Sequence, residues 1–249
     1  MNRRTLVILL SLLASAGAIA YAAPALAQSL TLDVGEPGGS TTARIIQLVA
    51  LVTVLSLAPG ILLMVTSFTR IIVVFSLLRS ALGTQQAPPN IVAISLAMFM
   101  TGFIMADTFE TAWQNGIQPL IDEQIDEEEA FRETVAPFRV FMLAQVRDKD
   151  LELFEDIGQV GPAETGLNAP LQVLVPAFMI SELRRAFEIG FLLYLPFVII
   201  DMVIASVLMS MGMMMVPPVT ISLPFKLIFF VLVDGWYMVA GSLVRSFST

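Results

Sequence analysis

The sequence predicts an all-α, membrane-associated protein built from helical hairpins whose helices are broken or kinked. First, 57% of the 249 residues are apolar and only 14% are charged, where ordinary soluble domains carry about a quarter charged residues; mean hydropathy is +0.84. Second, the apolar residues fall in long blocks at helical spacing, with no strand alternation, heptad array or internal repeat. Third, Pro59-Gly60, Pro196 and Gly212 interrupt those blocks. Broken apolar helices belong where backbone is buried in protein or lines a cavity.

Residues 1–27 read as a secretory signal peptide. Arg3 and Arg4 form a positive start, an apolar stretch follows, and Ala25-Leu26-Ala27 offers small residues for cleavage. Residues 28–44 form a short polar lead-in with turn residues. The first apolar zone, 45–106, opens with an uncharged run from Ile45 to Thr69, long enough to span a bilayer. An amphipathic segment with Arg70 and Arg79 comes next, then a break at Pro88-Pro89. The last part, Ile91 to Ala106, is short for a span.

Residues 107–170 are soluble in character, with 15 acidic and 4 basic residues. Amphipathic helices are expected there, with Asp126-Glu127-Glu128-Glu129 on a solvated face. The final zone, 171–249, is again apolar; from Ala186 to Val244 only Glu188, Asp201, Lys226 and Asp234 are charged. Pro196 predicts a kink. Pro217-Pro218 should end one long helix, and Ser222-Leu223-Pro224 should start the next. Between them, within 209–218, lies a methionine-rich loop.

Composition excludes much chemistry. The chain has no Cys and no His, which removes disulfides, thiolate and imidazole metal sites, and Ser-His-Asp arrangements. No cofactor, metal or enzymatic activity is expected. The net charge of −8 argues against nucleic acid, whose phosphates demand a basic surface. An N-terminus delivered outside the cytoplasm, with Arg70 and Arg79 after the first span, puts the arginines inside and the acidic region outside. Lys226 then returns to the inside, and four spans is the simplest count.

Four segments carry most of the information. PAFMISELRRAFEIGF (176–191) reads as a helix opening at Pro176, with Glu182/Arg185 and Arg184/Glu188 spaced for pairing along it. PFVIIDM (196–202) places Asp201 inside an apolar helix, and LPFKLIFFVLVDGW (223–236) adds Lys226 and Asp234. Ionisable groups in lipid cost about 2.5–3.5 kcal/mol on insertion scales, so Asp201, Lys226 and Asp234 should be buried against partners or line water. Lastly Met209, Met211, Met213, Met214 and Met215 are five of seven residues beside Gly212. Flexible thioethers can close around nothing or conform to a passing chain.

Together these segments resemble the FliP family of flagellar biosynthetic proteins. PAF-x-I-SEL-x-x-AF-x-IGF at 176–191 and PF-x-x-I-D at 196–201 match its two signatures. MGMMM-x-PP at 211–218 and LPFKL-x-x-FVLVDGW at 223–236 extend the similarity. The resemblance implies a core subunit of the flagellar type III protein export gate, through which unfolded flagellar substrates pass. It implies several copies around a central axis in a helical ring, joined by FliQ-like and FliR-like subunits. The location implied is the bacterial inner membrane and flagellar basal body, with the acidic region on the periplasmic side. The methionine loop would be a pore gasket. Arg147, Glu182 and Lys226 are the expected inter-subunit charge contacts, with Glu182 and Lys226 meeting each other. Two other readings compete. A small-solute or proton-coupled transporter could use Asp201, Lys226 and Asp234 as a relay; an intramembrane enzyme could use Asp201/Asp234, a pair with no supporting motif.

Overall fold

The computed structural model describes residues 41–84, 87–161, 166–213 and 215–247. The expected signal peptide, residues 28–40 of the lead-in and Met214 lie outside the described residues. Every regular element among those described is helical, as the composition and periodicity predict. The chain divides into two compact units, Met1–Val54 and Leu55–Thr249.

The described part of the first unit is the opening of helix α1 (Thr41–Met64), within which the Thr53 hydroxyl donates to the Val49 carbonyl at 2.7 Å. In the second unit α1 gives way to α2 (Phe68–Leu82) and α3 (Asn90–Ile104). The acidic region holds α4 (Ala106–Ala112), a wide π-turn (Trp113–Ile117), α5 (Gln118–Ile121), α6 (Glu127–Gln145) and α7 (Asp148–Gly158). A short 3-10 turn (Gly166–Asn168) leads to α8 (Leu171–Ser210), 40 residues long, then α9 (Pro218–Leu232) and α10 (Gly235–Arg245).

Helix α2 is the spine. Ile71, Val74, Phe75, Leu78, Ala81 and Leu82 recur at helical spacing and are all buried. They pack with Ala97 and Met100 of α3, Ala186 and Phe197 of α8, Phe230 of α9, and Val239 and Leu243 of α10. Close approach of α2 to α8 depends on Gly190, where a Cβ would lie 2.2 Å from Leu77 Cδ1. A second cluster joins Met142 of α6 to Leu174 and Phe178 of α8. The acidic run opens α6: Asp126 accepts from the Glu129 N–H at 2.8 Å, and Glu127–Glu129 fill the first turn. Carboxylates are favoured there by the helix dipole.

The breaks at Pro88-Pro89 and before Pro217-Pro218 fall where the tandem prolines predict them, but single prolines mark no break. Pro59, Pro137, Pro176, Pro196 and Pro224 all lie inside helices. Helix α8 therefore starts at Leu171 rather than Pro176, and α9 at Pro218 rather than near Pro224. Apolar helices tolerate the lost hydrogen bond where neighbouring turns and helices re-satisfy the backbone. The interruptions fall instead at Val65–Ser67, Met105 and Val233–Asp234. At the first, the Thr66 hydroxyl donates to the Leu63 carbonyl at 3.0 Å and accepts from the Phe68 N–H at 3.3 Å, standing in for ladder bonds.

Among the described residues, only α8 is long and apolar enough to cross a membrane as one unbroken helix, with mean hydropathy 2.4 in its best stretch. The count of four is reached only by taking three bent pairs as spans: Leu48–Met64 with Phe68–Leu82, Asn90–Ile104 with Ala106–Ile121 bent by 65°, and Pro218–Leu232 with Gly235–Arg245 bent by 63°. In α8 Phe191, Leu192, Ile199 and Met202 are each 60–66% exposed. Apolar faces of this extent mark contact with lipid or with other subunits.

Candidate functional site

Two features stand out: a buried ionic network tying three helices and the segment after α10 together, and an exposed methionine turn.

Helix α2 carries Arg70 into the core with 0% exposure. Its Nε donates to Glu182 Oε2 at 2.9 Å, and Nη2 donates both to Glu182 Oε1 and to Gln145 Oε1, the latter at 2.9 Å. Its Nη1 donates to the Ser246 carbonyl at 3.0 Å and to the Ser246 hydroxyl at 2.9 Å. The guanidinium also lies 3.7 Å from the centre of the Phe247 ring. A bidentate fork with its remaining donors occupied is the arrangement in which a buried guanidinium is tolerated. Arg185 joins from α8 by donating to Gln145 Oε1 at 2.8 Å. The network thus ties α2, α6, α8 and the segment after α10.

One helical face away, Arg147 donates to both oxygens of Asp150 at 3.0 Å. The Ser181 hydroxyl donates to Asp150 Oδ2 at 2.6 Å and accepts from the Arg147 N–H at 3.1 Å. Burial pushes the Asp150 carboxyl up, but the Ser181 hydroxyl and the Arg147 guanidinium outweigh it and hold the group below its ordinary value. A third pair lies among the apolar helices. Lys226 Nζ donates to Asp201 Oδ2 at 2.6 Å and to the Ala81 carbonyl at 3.1 Å, and Ser222 donates to Asp201 Oδ1.

Glu182 and Lys226, expected to meet each other, each have a different partner in this chain: Arg70 and Asp201 respectively. Arg147 pairs within its own chain with Asp150. Arg184 and Glu188 do pair at i,i+4, but both are well exposed, where such a pair contributes little. Asp201, expected to be buried, is half-buried, with its carboxylate paired to Lys226. The structure places Asp234, expected to be buried, on an exposed turn with φ +52° between α9 and α10. Sequence reasoning gave Arg70 and Gln145 no partner. A lone Arg in an apolar stripe was the available signal.

The methionine turn follows α8. The Met213 N–H donates to the Leu208 carbonyl at 3.0 Å and the Gly212 N–H to the Met209 carbonyl at 3.0 Å. Gly212 has φ +75°, so a Schellman motif ends the helix, with Gly at the position that requires left-handed backbone. Pro217 and Pro218 then launch α9. Exposure is 63% at Met209, 67% at Met211, 44% at Met213 and 97% at Met215. Met209 at the end of α8 and Met211 and Met215 beyond it are therefore mostly exposed, and Met213 partly so. No group of acidic side chains among the described residues could hold a metal ion.

The comparisons agree with the motifs. The FliP family profile matches residues 51–243. A flagellar biosynthetic protein FliP of Caulobacter vibrioides is 57% identical over 240 residues, covering 96% of this chain and 90% of its relative. Its counterpart in Agrobacterium fabrum is 55% identical over 214 residues, 84% of this chain and 86% of the relative. The Bacillus subtilis protein is 52% identical over 202 residues, 81% and 91%. With the signature helix, the methionine turn and the profile coinciding along one polypeptide, the chain belongs to the FliP family of flagellar biosynthetic proteins.

Proposed function

We propose that the chain is a structural core subunit of the flagellar type III protein export gate, and that it lines the passage for unfolded flagellar substrates. Several copies surround a central axis, joined by FliQ-like and FliR-like subunits, in the inner membrane at the basal body. The acidic helices α4–α7 face the periplasm. The observation that carries this reading is the exposed turn Met209–Met215. Repeated around an axis, such turns form a soft apolar constriction that resists water and ions yet yields to a moving chain. The exposed faces of α8 and α9 supply apolar area for neighbouring subunits. Arg147, Glu182 and Lys226 then serve assembly by fixing the shape each copy offers, since their charges are neutralised within the chain. The transporter reading loses support, because Asp201 and Lys226 neutralise each other and Asp234 stands on an exposed turn.

The test is deletion of Met211–Met215 in cells that assemble the complete gate. Ion leakage across the membrane should rise while the assembly persists. Unchanged conductance in an intact complex refutes the gasket.

A further inference from the structure

The last turns of α2 and the first turns of α3 line a cavity of about 240 Å3 that the proposed function does not use. Its walls are Phe75, Leu78 and Leu82 of α2, Val92 and Leu96 of α3, and Trp236 at the start of α10. One charged side chain, Arg79, lines this apolar space. Its Nη1 donates to Asn90 Oδ1, but its Nε is buried without a hydrogen-bond partner among the described residues. No carboxylate among those residues pairs with it. A shielded guanidinium N–H without an acceptor calls for one, and a cation calls for an anionic one.

We propose that this cavity binds a single anionic phospholipid, with an acyl chain along the apolar wall and the phosphate accepting from Arg79. Charge complementarity selects this occupant over an apolar helix, which offers the guanidinium nothing. Position along the fold agrees. Helix α2 ends at Leu82 with Gly83 in left-handed geometry, and the connection to α3 is polar and proline-rich, as expected where chain leaves the hydrocarbon. Trp and Arg side chains sit at that depth, beside phosphates. The apolar wall takes any acyl tail, so selectivity rests on the headgroup.

The full chain, purified in detergent, is mixed with equal amounts of phosphatidylglycerol and phosphatidylcholine bearing identical acyl chains, and retained lipid is read by native mass spectrometry. Phosphatidylglycerol should be retained about tenfold over phosphatidylcholine: both phosphates can accept from Arg79, but the choline ammonium repels the guanidinium and cancels the lipid's net charge, and tenfold corresponds to about 1.4 kcal/mol. R79Q should bring the two lipids level, and R79K should restore part of the preference. A93F, which fills the cavity from the buried Ala93, should abolish retention of both. Equal retention by the unmodified chain, or an undiminished preference in R79Q, overturns the proposal. So does a photoreactive side chain at position 92 that captures a protein segment, including a second copy, in place of lipid. If A93F does not fold, the R79Q and R79K comparison decides alone.

Discussion

Arg70 concentrates the strongest residue-level expectations. With Glu182 it forms a pair of zero exposure, and removing one partner of such a pair costs about 3–5 kcal/mol because the other charge is left stranded. Glu182→Ala should lower the thermal midpoint of the purified chain far more than the combined replacement Arg70→Met with Glu182→Leu, which strands no charge. Equal losses would show that packing, not charge, sets the effect. Asp150 adds a pH dependence. Its folded value lies below the unfolded carboxylate value of about 3.9. The stabilisation is therefore complete above roughly pH 4 and is lost as pH falls through the folded value. Asp150→Asn should be less stable at neutral pH and should flatten the acid limb of the stability curve; an unchanged acid limb excludes this carboxylate. Of these partnerships the sequence displayed only local ones. The i,i+4 spacing of Arg184 and Glu188 is legible, but Arg70 and Glu182 are 112 residues apart, and no periodicity reports such a meeting.

At the level of elements, one close approach is where the π-turn meets α6. A Cβ on Gly116 would lie 2.1 Å from Thr134 Oγ1 and 2.7 Å from the Thr134 backbone nitrogen. The backbone atom cannot swing aside, so Gly116→Ala should cost about 1–3 kcal/mol, typical of overpacking. Proteolysis confined to 107–145 is the readout, and a digestion pattern like that of the parent chain would mean the π-turn simply shifts. Helical character, the long α8 and the Gly-Pro end of the methionine loop could all be read from apolar runs and turn chemistry. The breaks at the tandem prolines were legible too, but the bends were not. Proline was the obvious marker, yet Pro176, Pro196 and Pro224 lie within helices, and the bends occur at Thr66, Met105 and Asp234. No proline stands at any of the three, so turn chemistry alone does not mark them.

For the whole molecule, the main fact is how much apolar surface remains uncovered. The most apolar stretch of α8 is only 11% buried. A chain in this state has to be covered by lipid or by other chains. The purified chain alone should accordingly self-associate or require detergent. A monodisperse, detergent-free monomer would contradict the assembly on which the gate reading depends. The family was legible because its motifs are long and ordered. The arrangement of copies in the proposed gate was not, since one chain contains only one half of each interface.

The partners of Arg70 also set a schedule. Gln145 lies 75 residues beyond it, Glu182 112, and Ser246 176. A ribosome therefore delivers the cation long before the groups that enclose it. Until Ser246 and Phe247 have emerged, α2 cannot seat its guanidinium at full strength, and the spine stays unlocked. Commitment to the final shape is thus deferred until residues 246 and 247 have been made, which leaves time for the greasy segments between to be placed before the knot is drawn tight.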